Sequence, residues 1–170
     1  MKARALGIAV ALAFFATRAD AAGGNEASII GHPGEHPDYH LELEPHGLLA
    51  YGGPFNAWHG NLGAGIRATI PLLSNGFIPS INNNIGIGFG GDVFVFNGAA
   101  LFVPVVGQWN FYLLTHLSVF GEAGAGVTFG GLHYVDPIFG VGARFHFAER
   151  LALTVRAEYP ALSLGLSLYL

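Results

Sequence analysis

The chain has 170 residues, with 7 Lys+Arg against 11 Asp+Glu, 26 glycines, no cysteine and 52% hydrophobic residues. Only 11% are charged, where an ordinary soluble domain carries about 25%. This balance excludes a disordered chain, a disulfide scaffold, thiol chemistry and a nucleic-acid partner, and describes a protein whose outer surface is not water.

Residues 1–21 read as a secretory signal peptide. Met1-Lys2-Ala3-Arg4 is a positive start, Ala5 to Ala16 is an apolar run too short to span a bilayer, and Ala19-Asp20-Ala21 fits the small-residue cleavage pattern. Cleavage after Ala21 leaves four arginines (Arg67, Arg144, Arg150 and Arg156), no lysine, and ten acidic residues, a formal net charge of −6. Residues 22–39 read as a flexible periplasmic leader, polar and rich in Pro and His, without periodicity. His32, His36 and His40 recur every four residues, a spacing that would build a metal face on a helix. Pro33 and Pro37 forbid that helix, so no metal and no cofactor is expected.

From residue 40 the pattern changes to a strict period of two, the signature of strands. Eight runs follow, at 40–51, 60–72, 84–96, 100–112, 116–129, 138–147, 151–159 and 162–170. Gly52-Gly53-Pro54, Ser74-Asn75-Gly76, Asn97-Gly98, Gly130-Gly131, Ala148-Glu149-Arg150 and Pro160-Ala161 punctuate them. The last run is the clearest: Leu162, Leu164, Leu166, Leu168 and Leu170 alternate with Ser163, Gly165, Ser167 and Tyr169. One junction conflicts. A two-residue Asn97-Gly98 hairpin would put Phe96 and Ala99 on one face, whereas the flanking alternations disagree by one residue, which predicts a bulge or a longer loop. The predicted outward loops are 52–59 and 130–137, short for a receptor or an adhesin.

The charged residues decide which face meets what. Glu42, Glu44, Arg67, Asp92, Glu122, Arg144, Arg156 and Glu158 fall on the Gly/Ser/Thr face of their runs, while the other face is a row of Leu, Val, Ile and Phe. An eight-strand lumen is only wide enough to be filled by side chains. Small residues and paired charges fit that lumen, and leucine rows fit lipid. The predicted fold is all-β, an eight-stranded antiparallel up-and-down transmembrane β-barrel over residues 40–170, with both termini at the periplasmic side. A soluble lipid-binding barrel is the competing architecture.

Over roughly residues 40–170 the chain resembles the small eight-stranded outer-membrane barrels of Gram-negative bacteria, such as OmpX and the transmembrane domain of OmpA. The resemblance lies in the signal peptide, the eight strands and a final strand running to the last residue. It implies a location in the bacterial outer membrane, export through the general secretory pathway, and contact with outer-membrane lipid, lipopolysaccharide and the barrel-assembly machinery. Substrates of that machinery usually end in an aromatic residue, and here Tyr169 stands one place early.

Three chemistries can be placed on the predicted barrel. The eight charged residues form a lumen network, which reads as a structural plug in a membrane-integrity protein. Its excess carboxylates, with inward Gly86, Gly88, Gly124, Gly126, Gly140 and Gly142, leave a narrow cation-preferring pore as the alternative. His116-Leu117-Ser118, with Glu122 beyond, resembles the His-x-Ser pair of outer-membrane lipid A deacylases, but no oxyanion donor or substrate path is evident and no enzyme is expected. Tyr51, Phe55 and Trp58 at one end, and Trp109, Phe111, Phe147 and Tyr169 at the other, are expected as interfacial girdles.

Overall fold

The computed structural model describes residues 28–51, 62–94, 100–130 and 134–170. The predicted signal peptide, the loop 52–59 with Phe55 and Trp58, and the Asn97-Gly98 turn lie outside them. Eight strands run in chain order: β1 (Glu42–Ala50), β2 (Leu62–Leu73), β3 (Asn83–Phe94), β4 (Ala100–Leu114), β5 (Leu117–Phe129), β6 (Tyr134–Ala148), β7 (Leu151–Tyr159) and β8 (Ala161–Tyr169). Each pairs antiparallel with its neighbour, and β8 pairs with β1 to close the barrel. No edge strand remains, as a sheet without water on its rim requires.

The faces follow the predicted alternation. Leu62, Ile66 and Ile70 of β2, Phe139, Val141 and Phe145 of β6, and Leu162, Leu164 and Leu166 of β8 point outward and are exposed. The charged and small residues of the same strands point into the lumen.

The β3–β4 junction resolves in favour of the strand registers. Phe94 pairs with Ala100 and Asp92 with Phe102, leaving five residues between the last pair where a two-residue turn would shift every pair by one. β6 begins four residues earlier than predicted, because Tyr134 to Pro137 continue the ladder with Ala125 to Thr128. The predicted outward loop 130–137 shortens accordingly. Register shifts occur at Pro71/Leu73, Tyr112/Leu114 and His146/Ala148. All three lie at the lower mouth, where β1 begins and β8 ends, and bulges at these hairpin ends bend the strands into their turns.

Residues 28–41 depart furthest from expectation. They do not extend away as a leader; they lie on the lower mouth. Ser28 bridges to Leu114, and Ile29 N donates to Leu113 O at 3.0 Å. The His36 ring stacks on Tyr112 at 4.9 Å, and Tyr39 packs on Tyr169 at 4.8 Å. His40 N and Leu41 N both donate to Leu170 O. Ile29 and Tyr39 are buried. Prolines and the absence of period two kept this stretch from reading as a strand, but its apolar and aromatic residues still have a surface to cover. Burial holds the Tyr39 phenol above its ordinary titration range, so it stays neutral there.

Candidate functional site: the charged lumen

Three layers fill the lumen. At the upper mouth, Leu48, Ala50, Phe94, Ala100, Phe102, Val106, Ile138 and Ala161 form an apolar cluster. At the lower mouth, Tyr39, Ala152 and Tyr169 form a second one, bordered by His146, whose ring stacks on Tyr169 at 5.6 Å. The eight predicted charged residues occupy the middle, and all are buried.

Each of the three arginines is paired with carboxylates, and Glu122 is shared between Arg67 and Arg156. Arg144 of β6 grips Glu42 of β1 with two hydrogen bonds, Nε to Oε1 at 2.9 Å and Nη2 to Oε2 at 3.0 Å. Its remaining donors reach Asn110 Oδ1 at 2.7 Å and Gln108 Oε1 at 3.0 Å on β4. Arg156 of β7 grips Glu44 in the same way, Nη1 to Oε1 at 2.7 Å and Nη2 to Oε2 at 2.8 Å. Its Nε lies 2.7 Å from Glu122 Oε1 on β5. Arg67 of β2 donates to Glu158 Oε1 at 3.1 Å and lies 3.7 Å from Glu122 and 3.9 Å from Asp92. Two-pronged guanidinium–carboxylate pairs are the strong, directional kind. Here they tie β1 to β6 and β1 to β7, strands that are not ladder neighbours.

Six further residues complete the network, none of them among the eight charged residues predicted for it. His46 Nε2 hydrogen-bonds Asp92 Oδ1 at 2.9 Å. Gln108 Nε2 donates to Glu122 Oε2 at 3.2 Å. Asn110 Nδ2 donates to Asn84 Oδ1 at 2.7 Å, and Asn84 in turn to the Tyr112 hydroxyl at 2.9 Å, so the network continues down to the floor. Phe120 lies between two guanidinium groups, 4.2 Å from Arg144 Cζ and 5.1 Å from Arg156 Cζ. A ring face carries negative quadrupole and attracts both cations. His46 was legible in phase with Glu42 and Glu44, and Gln108 and Asn110 share the phase of Val106 and Tyr112. Phe120 is in phase with Ser118 and Glu122, but its place between the arginines depends on the strand register opposite.

That register also explains the inward glycines. The sequence offers them as room in the lumen, and at two of them, Gly126 and Gly142, a ring fills that room. A Cβ on Gly126 would stand 2.1 Å from the Phe102 ring, and one on Gly142 would stand 2.1 Å from Phe120 Cζ. Gly142→Ala is therefore expected to push Phe120 off the two arginines and to cost about 1–3 kcal/mol. Gly121→Ala, whose Cβ would face outward with its nearest neighbour 4.0 Å away, is expected to be neutral within about 0.5 kcal/mol. Urea titration of the folded, unboiled gel band measures both.

The His-x-Ser pair does not assemble. His116 lies in the β4–β5 turn and packs edge-on against outward Phe145 at 5.3 Å. Ser118 is fully buried and shares a hydrogen bond with His146 Nε2 at 2.9 Å instead. Glu122 is taken by Gln108 and the arginines. The four-residue histidine spacing also disperses: His32 contacts Glu35 at 3.1 Å and His36 contacts Ser74 O at 2.7 Å. Among the described residues no group of three or more His, Cys, Asp or Glu is placed to hold a metal ion. Among the predicted girdle residues, Trp109 and Phe111 form a pair at 4.9 Å, joined by Phe77 at 5.5 Å from Trp109. Tyr169 is a correction: it points into the lumen and is buried, on the Ser/Gly face of its own alternation.

No protein-family model matches the sequence, and no curated protein matches it. Solved structures do. A de novo designed transmembrane β-barrel superposes with a TM-score of 0.53 at 17% identity, over 83% of this chain and 99% of the designed one. The Yersinia pestis outer-membrane protein Ail, determined in a phospholipid bilayer nanodisc, superposes with a TM-score of 0.52 at 12% identity, over 78% of this chain and all of Ail. The fold is that of the small eight-stranded transmembrane β-barrels.

Proposed function

We propose that this protein is an integral barrel of the bacterial outer membrane, exported by the general secretory pathway, with a structural, membrane-integrity role and a lumen plugged by its own side chains. The observation that carries this reading is the stack of an apolar layer, a cross-linked charged layer and an aromatic floor within one narrow barrel. The outward rows of Leu, Phe, Val and Ile support placement in lipid, with outer-membrane lipid and lipopolysaccharide as its surroundings and the barrel-assembly machinery as its route into them. A plugged eight-strand barrel acts through its outer surface, as a rigid element held in one leaflet-to-leaflet register by its apolar belt and rim aromatics.

The test has two parts. Isolated membranes should contain the protein in the carbonate-resistant fraction, as a band that shifts on boiling in SDS. The purified barrel, reconstituted in a planar bilayer, is expected to give a flat current trace. Discrete conductance steps would replace the plugged barrel with the narrow cation-preferring pore, and a soluble, unshifted band would remove the membrane reading itself.

A further inference from the structure

The segment on the lower mouth is held very differently from the strands it covers. Each strand is hydrogen-bonded along both sides, whereas residues 28–41 touch the barrel at a few points. Most side chains from Gly31 to Glu35 are exposed, and Gly34 adopts φ +87°, a backbone shape that favours glycine. The contacts converge on one residue outside the strands, Asn82, at the end of the β2–β3 turn. It is fully buried. Its backbone N donates to Ile30 O at 2.7 Å, and its side-chain Nδ2 donates to Glu35 O at 2.7 Å. Its own carbonyl accepts from Tyr112 N at 3.0 Å. Asn82 thus clasps the segment twice and pins it to β4. His36 on Ser74 O and Tyr112, and Tyr39 on Tyr169, complete the closure.

We propose that residues 28–41 are a lid over the lower mouth and that Asn82 is its catch. Elements with few buried contacts and few backbone bonds open first, without unfolding of the rest. Opening this one lifts His36 and Tyr39 away and uncovers a vestibule floored by Tyr112, Ser118, His146 and Tyr169. The lumen above stays filled, so the lid controls access from one side only.

The chain contains no cysteine, so a Ser118→Cys variant carries a single thiol beneath the lid. Its modification by a small, charged methanethiosulfonate reagent reads lid opening, because the apolar and charged layers block the approach from above. Ser118→Cys alone is expected to react slowly. Adding Asn82→Asp replaces the donor to Glu35 O with a carboxylate and is expected to accelerate modification about tenfold, the shift in opening that losing one buried hydrogen bond produces. Ile29→Ser, on the lid itself, is expected to act in the same direction and serves where Asn82→Asp fails to give the heat-shifting band. Fast reaction of Ser118→Cys alone overturns the lid. So do equal rates in all three chains with the heat-shifting band retained.

Discussion

Arg156→Met is expected to lower the stability of the barrel by about 3–5 kcal/mol, the cost of leaving buried carboxylates without their cation. The side chain is fully buried, and its guanidinium holds Glu44 with two hydrogen bonds and lies against Glu122 and Phe120. Methionine fills a similar volume, so the loss measures charge and hydrogen bonding rather than a cavity. The partner experiment separates these terms. Arg156→Met combined with Glu44→Gln removes one of the two stranded charges and is expected to recover part of the loss, because the penalty belongs to the unpaired carboxylate more than to the missing attraction. Urea midpoints of the unboiled gel band measure all three chains. An unchanged midpoint for the single variant would mean that water reaches the network and screens it, and the plugged lumen would fall with that result.

Much of this is legible in the sequence, and the reason is the period of two. Alternation of Leu162 to Leu170 with small residues assigns a face to each position without knowledge of its neighbours. That local rule was enough to collect eight charged residues from six strands into one lumen. It could not say which charge meets which. The pairings Arg144–Glu42 and Arg156–Glu44 cross the barrel, with separations of 102 and 112 residues, and they depend on the register of every strand between. Phe120 illustrates the limit. Its aromatic ring on a face of small residues looks misplaced until Gly142 is found opposite, leaving the ring room to lie between two arginines. The lid was illegible for a different reason. Residues 28–39 carry no period at all, and composition alone describes an exposed leader and a strap in the same terms. Only the surface waiting at the barrel mouth, with Tyr112, Tyr169 and Asn82, distinguishes them.

Leu164→Arg is expected to destabilise the barrel by about 2–4 kcal/mol, and the same change at Val135 by about 0–1 kcal/mol. Both side chains point outward and both are well exposed, at 57% and 73%. They differ in depth. Leu164 sits at the middle of β8, opposite Gly47 on one side and Val155 on the other, while Val135 is at the upper end of β6. In water, exposed positions tolerate arginine alike, and burial cannot rank them because neither is buried. In a bilayer, the midplane position must carry its charge some distance to the interface, and the rim position need not. The comparison therefore tests the membrane itself and leaves the lumen untouched. Folding titrations in phospholipid vesicles, read by the heat-shifting band, give the two costs side by side. A large cost at Leu164 and a small one at Val135 places the leucine row in the hydrocarbon. Equal, small costs at both sites would return that row to water and revive the soluble barrel, since an arginine on a wetted surface changes little.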